Sequence, residues 1–304
     1  MTSSLLIGNS RIDITVEGGT LRVPADDILH WVQSAAESVA AYYGRFPLPR
    51  VSIHITPFEG RGVRNGITFG DHGGRITIRV GNKTGASEFA SDWMLTHEMV
   101  HLAFPSVDDN HHWIEEGLAT YVEPIARIEA GHFKADQMWV DLVRDMPQGL
   151  PQAGDRGLDH THTWGRTYWG GALFCLLADV EIRRQTNNAK GLEQALRGIL
   201  DAGGDIRREW SLDDALKAGD RAVGVNVLEP LYIKMKDAPV NVDLPSLWTE
   251  LGVQSDGSSV HFDESATLAA VRRAITTAES GALAGRPSVP KLSAVFAGRA
   301  AGRS

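Results

Sequence analysis

Two histidines four residues apart, His97 and His101, enclose a glutamate, Glu98, in the segment 97–101. On a helix, residues with this spacing lie one turn apart on the same face, so both imidazoles can bind one metal ion. Glu98 then lies beside the same ion, where a carboxylate can act as the general base for a water molecule. The pattern therefore predicts a hydrolytic zinc site with His97 and His101 as ligands and Glu98 as the base.

A catalytic zinc site needs a third protein ligand and one open position. The segment 113–121 should lie on the next helix, and it can supply that ligand. It contains two adjacent acidic residues, Glu115 and Glu116, and either carboxylate is a suitable donor.

Two further histidines, His111 and His112, are rival ligands. They fall just before the second predicted helix, and we interpret them as loop or rim residues. In metzincins a third histidine follows the first by ten positions, but here that position is Val107.

The segment 113–121 reads Trp-Ile-Glu-Glu-Gly-Leu-Ala-Thr-Tyr. A Trp-x-x-Glu-Gly-x-Ala-x-Tyr pattern after the two-histidine motif resembles the aminopeptidase N and glycyl aminopeptidase families of gluzincin zinc peptidases. The resemblance covers roughly residues 91–200, with weaker similarity at 244–253. In these families the glutamate before the glycine binds zinc, which implies Glu116 as the third ligand and one Zn²⁺ per chain. Glu115 is the competing assignment.

A second segment, 166–173, is similar to the Tyr-x-Lys-Gly-Ala pattern of the same families, although Gly170 stands where lysine is common. The tyrosine in that pattern donates a hydrogen bond to the developing oxyanion, a role that the resemblance gives to Tyr168. Such a donor stabilises the transition state more than the ground state. A tyrosine that merely packs at a helix start is the alternative. Residues 176–186 resemble glycyl aminopeptidases more than aminopeptidase N.

One family feature has no counterpart in the sequence. Aminopeptidase N carries a Gly-x-Met-Glu-Asn strand whose acid binds the free amine of the substrate. The corresponding residues 66–80 offer only Asp71. A requirement for a free amine therefore does not follow. We expect residues 75–80 to form an edge strand that binds an extended peptide by strand addition.

Several polar side chains near these motifs have two interpretations each. His160, His162 and Arg166 precede Tyr168 and either line the cleft or serve surface and structural roles. Glu123 lies seven residues after Glu116 on the same helix face, where it either orients a ligand or is solvated.

The first ninety residues predict a mixed α/β arrangement. Apolar and polar residues alternate in 11–16, 51–56 and 75–80, as in half-buried strands. Residues 24–43 carry an apolar stripe of helical period, and Gly44 ends it. The glycine-rich stretch 60–74 predicts a loop or hairpin.

Helical periodicity begins near residue 87. One helix is predicted over 87–104, because Pro105 disfavours helix at the residue before it. A second is predicted over 112–131 with a kink at Pro124, and a third over 164–186.

Composition excludes several classes of partner. The 304 residues carry a net charge of −8 without a run of Lys or Arg, so nucleic acid is not an expected partner. No apolar stretch approaches the ~20 residues that span a bilayer. The N-terminus does not resemble a signal peptide, so we expect a cytoplasmic protein or an exported one whose signal is missing here.

Cys175, Trp93 and Trp113 are expected in the core. Oligomeric state does not follow from the sequence.

Together these features predict an α+β fold, specifically a gluzincin (thermolysin-like) catalytic domain. A small mixed sheet with the zinc-binding helices is expected over residues 10–131, packed against a helical lobe over 132–278, with a disordered tail over 279–304. The predicted function is zinc-dependent hydrolysis of peptide bonds in peptide or protein substrates, as an exopeptidase or an endopeptidase. The alternatives are a zinc hydrolase of a non-peptide amide or small molecule, and an inactive peptidase-like binding module.

Overall fold

Five N-terminal strands form one mixed sheet in the computed structural model, which describes residues 1–277. The sheet order is β1-β2-β3-β5-β4, in which β2, β3 and β5 run parallel and the outer strands β1 and β4 run antiparallel to their neighbours. The strands are β1 (Thr2–Ile7), β2 (Ser10–Val16), β3 (Arg50–Phe58), β4 (Val63–Phe69) and β5 (Arg75–Gly81).

The three central strands confirm the alternation seen in the sequence. Their inward residues, such as Ile12, Ile53 and Ile76, are fully buried, while the residues between them are less buried. Burying one face of a strand fixes its register, because a slip of one residue would turn the apolar set toward water. Strand β1 was not predicted from the sequence.

The edge strand beside the candidate site is β4, and the expectation that residues 75–80 form that edge is wrong. Strand β5 lies between β3 and β4 and is paired on both sides. Strand β4 occupies part of the stretch 60–74 that was predicted as a loop or hairpin. Its pairing slips between Arg64 and Ile67, where Asn65 has a φ of 51°, so β4 contains a bulge.

Eleven α-helices follow or interrupt the strands in the described residues. They are α1 (Ala25–Tyr43), α2 (Ala86–Ser91), α3 (Met94–His101), α4 (His112–Glu129), α5 (Ala135–Asp145), α6 (Gly171–Gln185), α7 (Leu192–Asp201), α8 (Leu212–Val223), α9 (Leu228–Met235), α10 (Leu244–Leu251) and α11 (Ala269–Ile275). Helix α1 confirms the prediction for residues 24–43, and Gly44 ends it in the left-handed conformation with a φ of 75°.

The prediction of one helix over residues 87–104 is wrong, because Asp92 breaks it into α2 and α3. Asp92 is extended, and its carboxylate accepts hydrogen bonds from the backbone N–H groups of Met94 and Leu95 at 3.2 Å each. An acidic residue in this position caps the start of a new helix. His97 and His101 therefore lie on a short helix of their own, α3.

The second and third predicted helices are present with changed ends. Helix α4 ends at Glu129 and continues through Pro124. The predicted helix 164–186 contains a π-helical turn over Arg166–Gly170 and then α6. Residues 132–277, expected to be helical, also contain a two-stranded sheet of β6 (Val253–Ser255) and β7 (Val260–Phe262).

One continuous hydrophobic core joins the sheet to the helices. Helix α1 contacts α3 and α4, and α4 also contacts α6. Cys175 is buried and unbonded in this core, as predicted. The boundary expected near residue 131 stays a prediction, and the tail 279–304 lies outside the described residues. Within residues 1–277, no helix is long and apolar enough to cross a bilayer.

Candidate metal centre

Helices α3 and α4 bring two imidazoles and one carboxylate together. The ring centres of His97 and His101, one turn apart on α3, are separated by 5.0 Å. Glu116 on α4 places Oε2 3.0 Å from Nε2 of His97 and 3.8 Å from Nε2 of His101. Ligand atoms from all three residues lie within 4.8 Å of one another. This spacing suits a single metal ion.

The charge states of these groups also suit a metal. Burial and the neighbouring His97 lower the pKa of His101 to about 3, so its imidazole is neutral. Burial alone would raise the pKa of Glu116, but the hydrogen bond with His97 and the other neighbouring imidazoles lower it overall, which keeps the carboxylate ionised. Two imidazoles and a carboxylate form the His₂Glu donor set of catalytic zinc sites, so the residues present fit that ion.

Strand β4 holds the side chain of Glu98. The Thr68 hydroxyl lies 2.6 Å from Glu98 Oε2 and 2.8 Å from the Glu98 carbonyl oxygen. Burial raises the pKa of Glu98, while the bond from Thr68 and the nearby His97 oppose that rise. Thr68 was missed in the sequence, since a threonine in a glycine-rich stretch has no distinguishing pattern.

The bulge in β4 makes room for Glu98. A Cβ atom at Gly66 would lie only 2.4 Å from Glu98 Oε1. The backbone N–H of Gly66 also approaches Met94 Sδ at 3.4 Å. The glycine thus lets the edge strand pass directly against the carboxylate.

The phenol of Tyr168 faces the same group of side chains. Its ring stacks on His97 with centres 6.4 Å apart and planes at 22°. Burial raises the pKa of Tyr168 to about 12, and the charges of Glu116 and Glu98 add to the rise. The hydroxyl therefore keeps its proton at neutral pH and can donate a hydrogen bond.

A close crossing of α4 and α6 brings Tyr168 beside Glu116. A Cβ atom at Gly117 would lie 2.3 Å from the backbone of Gly171, and one at Gly171 would lie 2.1 Å from the carbonyl oxygen of Trp113. Only glycines allow the two backbones to approach this closely. This contact gives a physical reason for the glycines in both sequence motifs.

The rival histidines differ in their surroundings. His111 Nδ1 is 3.1 Å from Asp159, which also accepts a hydrogen bond from Trp113. His112 is the first residue of α4 and half-exposed, with Nε2 3.3 Å from Glu116 Oε1 and Nδ1 3.3 Å from Glu115. It therefore contacts the carboxylate oxygen of Glu116 that faces away from His97.

A cavity of about 780 Å³ extends from these groups along β4. Its walls include Thr68, Phe69, Glu115 and Tyr168. Gly70, Asp71 and Ile206 also line the cavity, so it continues past the end of β4. A Cβ atom at Gly70 would lie 2.2 Å from the Ile206 carbonyl oxygen.

The other polar candidates lie outside this cavity. Arg166 is buried and pairs with Asp155 at 2.7 Å, while His160 pairs with Asp237 at 2.8 Å and His162 is exposed.

Glu123 is buried and accepts a hydrogen bond from Arg127 at 2.8 Å, so it is not a solvated carboxylate. Burial raises the pKa of Glu123 to about 7, and the charge and hydrogen bond of Arg127 oppose only part of that rise. Of the two tryptophans expected in the core, Trp113 is buried, but Trp93 is 50% exposed, so that expectation is wrong for Trp93.

Comparison with known proteins identifies solved structures that have a similar fold. No protein-family model and no curated protein matches the sequence. Solved structures do match. An aminopeptidase N family protein from Idiomarina loihiensis has a TM-score of 0.65 at 13% identity, covering 84% of this chain and 49% of its own. An M1 zinc metallopeptidase from Deinococcus radiodurans has a TM-score of 0.52 at 15% identity, covering 80% and 52%. A variant of that enzyme bound to a Tyr-Ser-Ala substrate gives 0.52 at 16%, covering 81% and 53%.

At these identities the similarity is one of fold. The chain has a mixed α+β fold shared with M1 zinc peptidase domains, and it spans about half the length of the structures it matches.

Proposed function

We propose that this protein is a zinc-dependent metallopeptidase with His97, His101 and Glu116 as the ligands of one Zn²⁺. The observation that carries the proposal is the convergence of these three donors within 4.8 Å, with Glu98 and Tyr168 beside them. The fold shared with M1 zinc peptidases supports the same conclusion. The same shared fold supports the proposal that the chain forms a gluzincin-type catalytic domain.

A zinc ion in this donor set would supply Lewis acidity that activates a water molecule and polarises the substrate carbonyl. Glu98 accepts the proton of that water and delivers it to the nitrogen of the leaving amine. Thr68 holds the carboxylate of Glu98 by its 2.6 Å hydrogen bond, so the base starts from a fixed position.

Tyr168 donates a hydrogen bond to the carbonyl oxygen as negative charge develops on it. Its raised pKa keeps the proton in place at working pH. Because the charge on that oxygen grows toward the transition state, the donation lowers the barrier more than it strengthens substrate binding.

An extended peptide is the substrate form that this cleft favours. The outer edge of β4 is unpaired in the described sheet, and its backbone groups can pair with a peptide strand.

The test is digestion of a diverse peptide mixture by the zinc-loaded protein, read by mass spectrometry, with a chelated sample as control. We expect cleavage by the wild type, none after chelation, and none by Glu98→Gln with full zinc content. Stepwise loss of N-terminal residues would indicate an aminopeptidase, and internal cuts an endopeptidase. An absence of cleavage with zinc bound would overturn the peptidase proposal in favour of a non-peptide substrate or a binding role.

A matched pair of variants tests the third ligand. Glu116→Gln should lose zinc affinity, whereas Glu115→Gln should keep it, since only Glu116 contacts both histidines. Zinc loss in Glu115→Gln alone would move the ligand assignment to that residue.

A further inference from the structure

Large apolar side chains are exposed around the candidate metal centre. In residues 1–277, seven such side chains are exposed, and four of them surround this site: Ile67, Phe69, Trp93 and Trp164. Exposed apolar surface that is concentrated in one place marks a position where something else binds.

The two tryptophans have equivalent positions relative to the site. Trp93 precedes His97 by four residues, and Trp164 precedes Tyr168 by four residues. In helical segments this spacing puts each indole one turn before a site residue on the same face. The ring of Trp93 meets His97 edge-on with centres 5.5 Å apart, and the ring of Trp164 stacks on Tyr168 at 5.6 Å.

Because Tyr168 also stacks on His97, the four rings form a continuous row that we call the aromatic shelf: Trp93, His97, Tyr168 and Trp164. Its two ends are 50% and 60% exposed. Tyr168 lines the 780 Å³ cavity and neither tryptophan does, so the shelf extends the site beyond that cavity.

Internal contacts of the fold do not account for this exposure. The other six tryptophans are buried or half-buried, and two of them, Trp31 and Trp113, donate indole hydrogen bonds to Asp92 and Asp159. Trp93 and Trp164 make ring contacts to the site, but their indole N–H groups donate no hydrogen bond within the described residues.

We propose that Trp93 and Trp164 form a subsite that binds an apolar or aromatic side chain of the peptide beside the bond that is cut. The proposal rests on the proposed peptidase function and specifies its substrates. An indole offers a large rigid surface for stacking and apolar contact. Continuity with His97 and Tyr168 puts this surface next to the reacting groups, where an apolar contact changes the rate as well as the affinity.

The test compares zinc-loaded wild type with Trp93→Ala and Trp164→Ala on peptide pairs that differ by Phe or Leu against Gly at one position. The wild type should prefer the apolar member at one position next to the cut. This preference is the kcat/KM for the apolar peptide divided by the kcat/KM for the Gly peptide. Each variant should lower that ratio about tenfold, within the range for one apolar contact. Ile233→Ala, which removes an exposed side chain on α9, is the matched control and should keep the ratio.

Trp164→Phe should restore most of the preference, because a smaller aromatic ring can still stack on Tyr168. An equal loss for every peptide would overturn the subsite, because Trp164 would then only position Tyr168. An unchanged ratio in both alanine variants would also overturn it.

A binding measurement separates this proposal from the peptidase proposal. Zinc-loaded Glu98→Gln protein is titrated with the same peptides while tryptophan emission is followed. Tighter binding of the Phe peptide that depends on Trp93 and Trp164 supports the subsite even if no peptide is cleaved. Cleavage without this dependence supports the peptidase and refutes the subsite.

Discussion

Replacing Gly66 with alanine should remove most of the catalytic rate while leaving the zinc site assembled. The new Cβ atom would lie 2.4 Å from Oε1, 2.5 Å from Cγ and 2.7 Å from Cδ of Glu98. Atoms do not approach this closely, so the carboxylate must move. The three atoms nearest to that Cβ atom all belong to Glu98, and none belongs to the proposed ligands His97, His101 and Glu116.

The size of the effect follows from these distances. Ordinary contact begins near 3.4 Å, so Glu98 has to shift by about 1 Å, and its 2.6 Å hydrogen bond from Thr68 is lost or bent. A misplacement of about 1 Å lowers rates by ~100-fold, which corresponds to about 2.7 kcal/mol in the barrier. The stability cost should stay within the ~1–3 kcal/mol of overpacking, because the end of the glutamate side chain can turn aside.

The assay combines kcat on a cleaved peptide with zinc content and circular dichroism of the same sample. Gly85→Ala is the matched control, since the nearest atom to its Cβ would be 3.9 Å away. That variant should keep the wild-type kcat.

Wild-type kcat in folded, zinc-loaded Gly66→Ala would refute the argument that β4 positions the base. Loss of zinc from this variant would also refute it, because the clash would then have displaced a ligand instead of Glu98.

Three further predictions concern the groups around the site. Tyr168→Phe should lower kcat by ~10²–10³-fold with little change in KM, as measured by steady-state kinetics, because it removes an oxyanion donor. Gly171→Ala should lower the free energy of unfolding in urea by at least ~1–3 kcal/mol, because its Cβ would lie 2.1 Å from the backbone carbonyl oxygen of Trp113 and push α4 from α6. Glu123 has its folded-state pKa raised to about 7 from 4.5, so its contribution is present at low pH and is lost as pH rises through 7. Unfolding measured from pH 5 to 8 should therefore show a smaller loss of stability with pH in Glu123→Gln than in the wild type.

Part of the site was predictable because it depends on the spacing of residues within a single helix or a short sequence motif. Helical spacing alone puts His97 and His101 on one face, and both lie on α3. The resemblance of residues 113–121 and 166–173 to gluzincin peptidases pointed to Glu116 and Tyr168, which the structure places close to His97.

The features that the sequence did not predict were missed for different physical reasons. Strand β4 was hidden in a glycine-rich stretch, because an edge strand with a bulge has little alternation to recognise. The break between α2 and α3 had a local cause, the capping carboxylate of Asp92, which the helical periodicity around it obscured. The exposure of Trp93 could not be foreseen, since tryptophan is on average a highly buried residue.

The sequence by itself determined His97 and His101 as candidate metal donors, Glu98 as the proposed base and the apolar faces that the sheet and helices bury, because these depend on residue type and on spacing within one element. Glu116 was assigned from the resemblance of residues 113–121 to gluzincin peptidases. Only the tertiary structure decided which strand borders the cleft, that Thr68 and Gly66 contact Glu98, and that two exposed tryptophans adjoin the site. The physical reason is that the contacts of Thr68 and Gly66 with Glu98 join segments about 30 residues apart in the chain, where the periodicity of a single element carries no information. The exposure of a tryptophan likewise depends on which distant segments cover it.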